Sequence, residues 1–296
     1  MAMTDLPPIL CIGAALWDVI GRSPAPMRLG ADVAGRMTRQ PGGVALNIAM
    51  ALARQGQRPA LLAAIGRDMM GAALVAELDA RGVATAYLHR ADELPTDAYM
   101  AIEDANGLIA AIADSQSMEA AGLRLTDPLR DGRLGTEAAP FTGMIALDGG
   151  LTGSQLHELS TDPVLAQADL RVVPSSNGKA GRLRPFLTRP GTAFYVNLEE
   201  AGLLCDQPFT TTPDAARAVL ARGAARVLVT GGAAPATDAD AHDLITRAPP
   251  AVQPRRVTGA GDTFMAAHMA AEHAGQSRAQ ALEHALQIAA DHVATL

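Results

Sequence analysis

The chain has 296 residues, 49% of them hydrophobic and 19% charged, with a formal net charge of −7. This composition suits a globular protein with a large core, and no basic stripe of the kind nucleic-acid binding needs is visible. Aromatic residues make up only 3%, so Ala, Leu, Val, Ile and Met must build that core.

In chain order, the apolar run 9–13 reads as a strand buried on both faces. The wider stretch 9–17 has no basic residue before it and closes at Asp18. It is too short to span a bilayer and lacks a signal peptide's charged start. Residues 43–56 follow a helical pattern, with Ile48 and Leu52 on one side and Gly56 as the stop. A second strand is expected over 60–65 and a helix over 71–80, with Leu74, Val75 and Leu78 inward. Alternation at this spacing predicts an α/β fold around a parallel sheet.

Region 85–113 breaks the rhythm. The strand-like runs 98–102 and 108–112 flank Asn106-Gly107, a pair that tolerates positive φ and signals a hairpin. A hairpin interrupting an α/β pattern is a candidate lid. The alternation then resumes, with strands expected at 144–147, 170–173, 192–196 and 226–230, and helices at 152–159, 215–221, 262–274 and 278–294. No linker divides the chain. One domain over 1–296 is expected, its lid formed by part of 30–41 and by 85–113.

The chemistry concentrates in Gly259-Ala260-Gly261-Asp262, which opens the helix at 262. Small residues let the backbone approach a ligand, and the first N–H groups of a helix have no partner within it. With the helix dipole they suit a phosphate. Asp262 could be an N-terminal cap or a general base beside a transferred phosphoryl group. The turn is no Walker loop, because no Gly-Lys-Ser/Thr follows.

A second segment, Pro41-Gly42-Gly43-Val44-Ala45-Leu46-Asn47, puts a double glycine before a helix, and Ile65-Gly66-Arg67-Asp68 lies downstream. With Asp18 and the late Gly-Ala-Gly-Asp, these segments resemble, in order and spacing, the signatures of the ribokinase-like (PfkB) kinases. The resemblance covers nearly the whole chain. It implies a three-layer α/β/α sandwich with a small β-strand lid, and transfer of a phosphoryl group from ATP, with Mg2+, to a primary hydroxyl.

Carried over by position, the resemblance makes Asp262 the general base and Gly259, Ala260 and Gly261 the turn that stabilises the phosphoryl group. Asp18, described in the family as ending the first strand, and Asn47 would bind sugar hydroxyls, with Gly42 and Gly43 passing close to the substrate. Asp68 would serve in a turn as readily as in a contact. Asn197-Leu198-Glu199-Glu200 resembles the family's Asn-x-x-Glu, which makes Glu200 the magnesium-side carboxylate and Asn197 its partner at metal and nucleotide. Thr230 and Gly232 resemble the nucleotide loop, although the Ala-Ala-Pro that follows departs from it. Arg256 stands where many relatives have an acidic residue that helps hold a monovalent cation, so weak potassium activation is expected.

Three details resemble the pseudouridine kinases of that family: the segment 111–118 after the lid strand, Val173-Pro174-Ser175-Ser176-Asn177-Gly178-Lys179, and the absence of an acidic residue before the glycine turn. In this reading Asp114 approaches the base and Lys179 the ATP phosphates. Simple sugar kinases of the ribokinase or fructokinase type, and a non-catalytic sugar- or nucleoside-binding relative, are the alternatives. A dinucleotide oxidoreductase is excluded by the single glycine after the first strand. His268, His273, His284 and His292 lack the i, i+4 pairing of a helical zinc site and are expected to be exposed or partly packed. Cys11 and Cys205 read as small buried hydrophobes in a cytoplasmic protein. Expected partners are a small sugar or nucleoside and, through the lid, a second copy; no nucleic acid and no membrane are expected.

Overall fold

Along the first strand, β1 (Ile9–Ile12), every residue is buried, and successive side chains enter two different cores: Ile9 and Cys11 one, Leu10 and Ile12 the other. That double burial explains the unbroken apolar run and puts β1 inside a sheet covered on both faces. The structure is a computed structural model that describes residues 6–295.

After β1 come β2 (Leu16–Arg22) and β3 (Arg36–Gly42), then α1 (Val44–Arg54), β4 (Pro59–Leu62), β5 (Ala64–Gly66) and α2 (Met69–Ala80). The short β6 (His89–Ala91) pairs with β5, and β7 (Ala98–Asp104) and β8 (Gly107–Asp114) form the expected hairpin before α3 (Gln116–Ala121). The second half runs β9 (Met144–Asp148), α4 (Gly153–Thr161), β10 (Asp169–Val173), β11 (Ala193–Asn197), α5 (Leu198–Cys205), α6 (Thr212–Ala221) and β12 (Arg226–Gly231). It ends with β13 (Ala234–Asp240), β14 (Leu244–Arg247), α7 (Ala260–His273) and α8 (Arg278–Ala294).

The main sheet has the order β14-β13-β12-β11-β10-β9-β1-β4; β12 through β4 are parallel, and β13 and β14 are antiparallel. α1, α2, α7 and α8 cover the face that holds Ile9 and Cys11, and α4, α5 and α6 cover the other. The three-layer α/β/α expectation holds.

The lid is a separate sheet of order β3-β2-β7-β8. It differs from the expected segments in two ways. β2 belongs to it, although residues 16–22 had not been assigned there, and β6 pairs with β5 rather than with the lid. β2 shows no clean alternation because, Trp17 and Arg22 apart, residues on both of its faces are only partly buried, so no period marks it.

Strand register fixes which lid residues share a face. Gln40, Asp18, Tyr99 and Ala113 form one cross-strand row, and Arg39, Val19, Met100 and Ile112 the next, on the opposite face. Trp17 lies on that second face, where its indole donates to the Met70 carbonyl at 2.9 Å and Arg39 stacks on it at 4.6 Å. Among the described residues no helix is long and apolar enough to cross a membrane.

Candidate active site

The carboxyl ends of the parallel strands gather the polar residues. Asp148 closes β9, opposite Val173 at the end of β10, and Asn197 closes β11, opposite Thr230 near the end of β12. Ligands of open α/β sheets bind along this edge, because there the loops separate and the helices begin.

α7 starts at this edge. Gly259, its N-cap, has φ +80, a left-handed conformation that glycine adopts freely. The turn directs the Ala260 N–H back to the Val257 carbonyl at 3.1 Å, so the open donors of the first turn are Gly261 and Asp262 rather than Ala260. His292 of α8 braces the turn from outside, its Nε2 donating to the Thr258 carbonyl at 2.9 Å.

Asp262 meets Asn47 across the two segments that sequence had singled out separately: Asn47 Nδ2 donates to Asp262 Oδ2 at 2.9 Å. Burial raises the Asp262 carboxyl to about 7; the Asn47 bond opposes this, and the charges of Asp148, Glu200 and Asp18 add to it. A carboxyl poised near neutrality beside open backbone donors can take a proton from a hydroxyl while the amides hold an anion.

Asp18 sits within β2, not at the end of β1, and burial pushes its carboxyl up to about 6. The double glycine makes room for it. A Cβ on Gly42 would lie 2.2 Å from Asp18 Oδ2, and one on Gly43, whose φ is +99, would lie 2.4 Å from the Ala14 carbonyl oxygen. Only bare backbone fits between the lid strand and α1.

Asp114 is not brought to this group. Its register partner is Ala98, in the row of Trp17, on the lid face opposite Asp18. Its Oδ1 accepts from the Gln116 N–H at 3.4 Å, at the start of α3. Asp68 has a structural part: it caps α2 through the Gly71 N–H at 2.8 Å and holds Thr96 through both its N–H and its hydroxyl. That contact ties the root of β7 to the body of the molecule.

Asn197 and Glu200 form a reciprocal capping box at the start of α5, Glu200 N–H donating to Asn197 Oδ1 at 2.9 Å and Asn197 N–H to Glu200 Oε2 at 2.8 Å. The box leaves Glu200 Oε1 unused and directs the Asn197 amide to Asn177 Oδ1 at 3.3 Å. Burial raises Glu200 to about 7. Among the described residues no three acidic, His or Cys groups are close enough to cage a metal. With Oε1 free beside the capping box, Glu200 would suit a magnesium ion held mainly by water and phosphate oxygens, a cation that binds few carboxylates directly. Gly232 turns β12 into β13 at the exposed tip of that hairpin.

Sequence reasoning missed Asp148. It is fully buried and accepts from the N–H groups of Ala14 at 3.0 Å and Gly150 at 2.6 Å. Burial raises its carboxyl, with the backbone donors and the Lys179 ammonium opposing. The Lys179 ammonium is thus close enough to act on Asp148, and one sequence signal marks it: the chain has a single lysine against 23 arginines. His268 overturns the expectation of exposed helix histidines. It is completely buried, with Nδ1 2.8 Å from the Tyr195 hydroxyl. Cys11 and Cys205 are buried and unpaired. The N–H groups of Arg255 and Arg256 donate to the Val293 carbonyl.

The chain matches the pfkB family of carbohydrate kinases over residues 7–129 and 166–294. It is 26% identical to the guanosine-inosine kinase of Exiguobacterium acetylicum across 97% of this chain and 94% of that one. It is 33% identical to the pseudouridine kinase of Escherichia coli over 110 residues, 36% of this chain and 34% of that one. Among solved structures, Arabidopsis thaliana ribokinase complexed with ribose and ATP superposes with a TM-score of 0.77, at 21% identity, over 98% of this chain and 93% of that one. Ribokinase from Thermotoga maritima gives 0.80 at 19% identity, covering 98% and 94%. These two likenesses show a ribokinase-like fold.

Proposed function

The chain belongs to the pfkB family of carbohydrate kinases, and on that premise we propose that it phosphorylates the 5′-hydroxyl of a ribosyl substrate, most specifically pseudouridine. The observation that carries the reading is the Asn47–Asp262 contact at the open N-terminus of α7. It joins the family's two signature segments through one hydrogen bond beside the open amides of the helix start. The similarity to two nucleoside kinases supports a nucleoside over a free sugar.

In the proposed reaction Asp18 and Asn47 orient the ribose, Asp18 accepting hydroxyl protons. Asp262 takes the proton of the attacking 5′-oxygen, and the Gly261 and Asp262 amides stabilise charge on the phosphoryl group in flight. Magnesium bound to ATP would neutralise the phosphate oxygens, with Glu200 on its water shell and Lys179, Thr230 and Gly232 along the nucleotide. Two buried, unpaired cysteines suit a reducing compartment such as the cytoplasm.

A second copy of the chain is the proposed cover for the lid's outer face, where Met37, Met100, Ile102 and Ile112 are 71%, 46%, 39% and 70% exposed. Side chains this apolar on an open sheet are a liability unless covered.

The test is ADP release from Mg-ATP with pseudouridine, uridine, guanosine, ribose, fructose and 2-keto-3-deoxygluconate as acceptors. Preference for pseudouridine is expected. Preference for a free sugar would keep the chemistry and replace the substrate; no release with any acceptor would leave a binding protein.

A further inference from the structure

We propose that Tyr99 is the residue that selects an acceptor carrying a heterocyclic base, by stacking against that base while Asp18 holds the ribose. The inference rests on the nucleoside reading above and adds the side chain that enforces it.

The argument begins with strand register. β2 and β7 are parallel, and Asp18 is the direct partner of Tyr99. Partners in a ladder project to the same face, one strand spacing of about 4.8 Å apart. Asp18 faces the cleft, because its carboxylate lies against Gly42 and its charge acts on Asp262. Tyr99 therefore faces the cleft too, one strand farther from Asp262. A ribose held at Asp18 with its 5′-oxygen at Asp262 must send its base away from Asp262, toward the lid, and Tyr99 is the first side chain there.

The partner of Tyr99 on β8 is Ala113, and the next row on the same face runs Ile20, Ala101 and Ala111, with Ala101 buried. On the β8 side, the exposed Ala113 and Ala111 put no large side chain beside the half-buried tyrosine, which leaves a shallow bay there. On the other flank of Asp18 stands Gln40, exposed, with an amide that can both donate and accept. Ring, bay and amide in one row complement a planar, polar-edged heterocycle; a free pentose would leave the bay empty.

Aromatic scarcity sharpens the assignment. The chain has five Phe, three Tyr and one Trp. The lid strands hold two of these nine, and the other, Trp17, is on the opposite face beneath Arg39. Asp114, which sequence had offered for base contact, shares the Trp17 face and is occupied at the start of α3.

The experiment compares wild type, Tyr99→Ala and Tyr99→Phe with the preferred nucleoside and with ribose as the acceptor lacking a base. Base–aromatic stacking predicts a rise in nucleoside KM on the order of tenfold to a hundredfold for Tyr99→Ala. Ribose kinetics should change less than about twofold, and Tyr99→Phe should recover most of the loss. Ala113→Leu, which fills the bay directly beside the ring, should repeat the nucleoside-specific loss with Tyr99 still in place. An unchanged nucleoside KM in Tyr99→Ala overturns the proposal while the nucleoside reading stands. Equal loss for both acceptors also overturns it, since the ring would then serve the sugar. A wild-type enzyme that uses ribose and ignores every nucleoside overturns both, and is recognised before any variant is made.

Discussion

Arg226 and Arg278 pair with Asp238, and Arg171 and Arg226 with Glu272 of α7, whereas the carboxylate of Asp262 feels the like charges of Asp148, Glu200 and Asp18. Both groups are acidic and largely buried, yet they titrate in opposite directions. Asp238 accepts two bonds from Arg226, at 2.9 and 2.6 Å, and two from Arg278, at 3.1 and 2.7 Å. Burial would raise its carboxyl, but the two guanidinium groups hold it down to about 2. Glu272 is buried as well, and His268, Arg171 and Arg226 still lower it. In the other cluster burial prevails, and Asp18, Glu200 and Asp262 rise to about 6, 7 and 7. Asp238 bolts β13 to β12 and α8, and Glu272 ties α7 to the same network through Arg226 and Arg171; the carboxylates around Asp262 have no such cationic partners among the described residues, so burial sets their titration.

Breaking the paired cluster should have the largest effect. Asp238→Ala takes the shared anion from Arg226 and Arg278, which keep Glu272 and Asp240, so the cost should fall toward the lower end of the about 3–5 kcal/mol of a broken buried pair. Urea unfolding would measure it, and a loss below about 1 kcal/mol would show the network to be dispensable. Asp262→Asn should behave in the reverse manner. Turnover should fall roughly 100-fold or more, while the melting temperature holds or rises because a repelling charge is gone. Full turnover in that variant would remove Asp262 as the base.

The smallest effect is the most diagnostic of the contrast. Asp18, Glu200 and Asp262 have folded values of about 6, 7 and 7, above the ordinary 3.8 to 4.5. The folded chain therefore holds protons that the unfolded chain releases, so stability is greatest at the acid end of this window and declines as pH rises from about 4 to about 7. The ligand-free protein should melt a few degrees higher at pH 5 than at pH 8, and Mg-ATP should narrow the gap. For turnover the same titration puts the acid limb of kcat/KM near 7, since Asp262 must be ionised to accept a proton. A flat melting profile would mean that these carboxylates are screened in the folded chain.

Most of the fold was legible. The buried runs that became β1, β9, β10 and β12, and the helical segments that became α4 and α8, are local signals, each contained in consecutive residues. The glycine turn and the double glycine were legible for the same reason. β2 was missed because its neighbours in the sheet come from distant segments and its own seven residues carry no clean alternation. Asp148 was missed because Leu-Asp-Gly-Gly at a strand end is an ordinary turn until Ala14 is seen to donate to it across 134 positions.

The sequence by itself determined the α/β class, most of the parallel strands with the helices between them, the lid hairpin, and a glycine-rich helix start at Gly259–Asp262, because propensity, periodicity and small residues act locally. Only the tertiary structure decided that Asn47 reaches Asp262, that Tyr99 and not Asp114 shares the face of Asp18, and that His268 lies in a buried ionic network. Those outcomes depend on register and crossing, where a shift of one residue reverses every face.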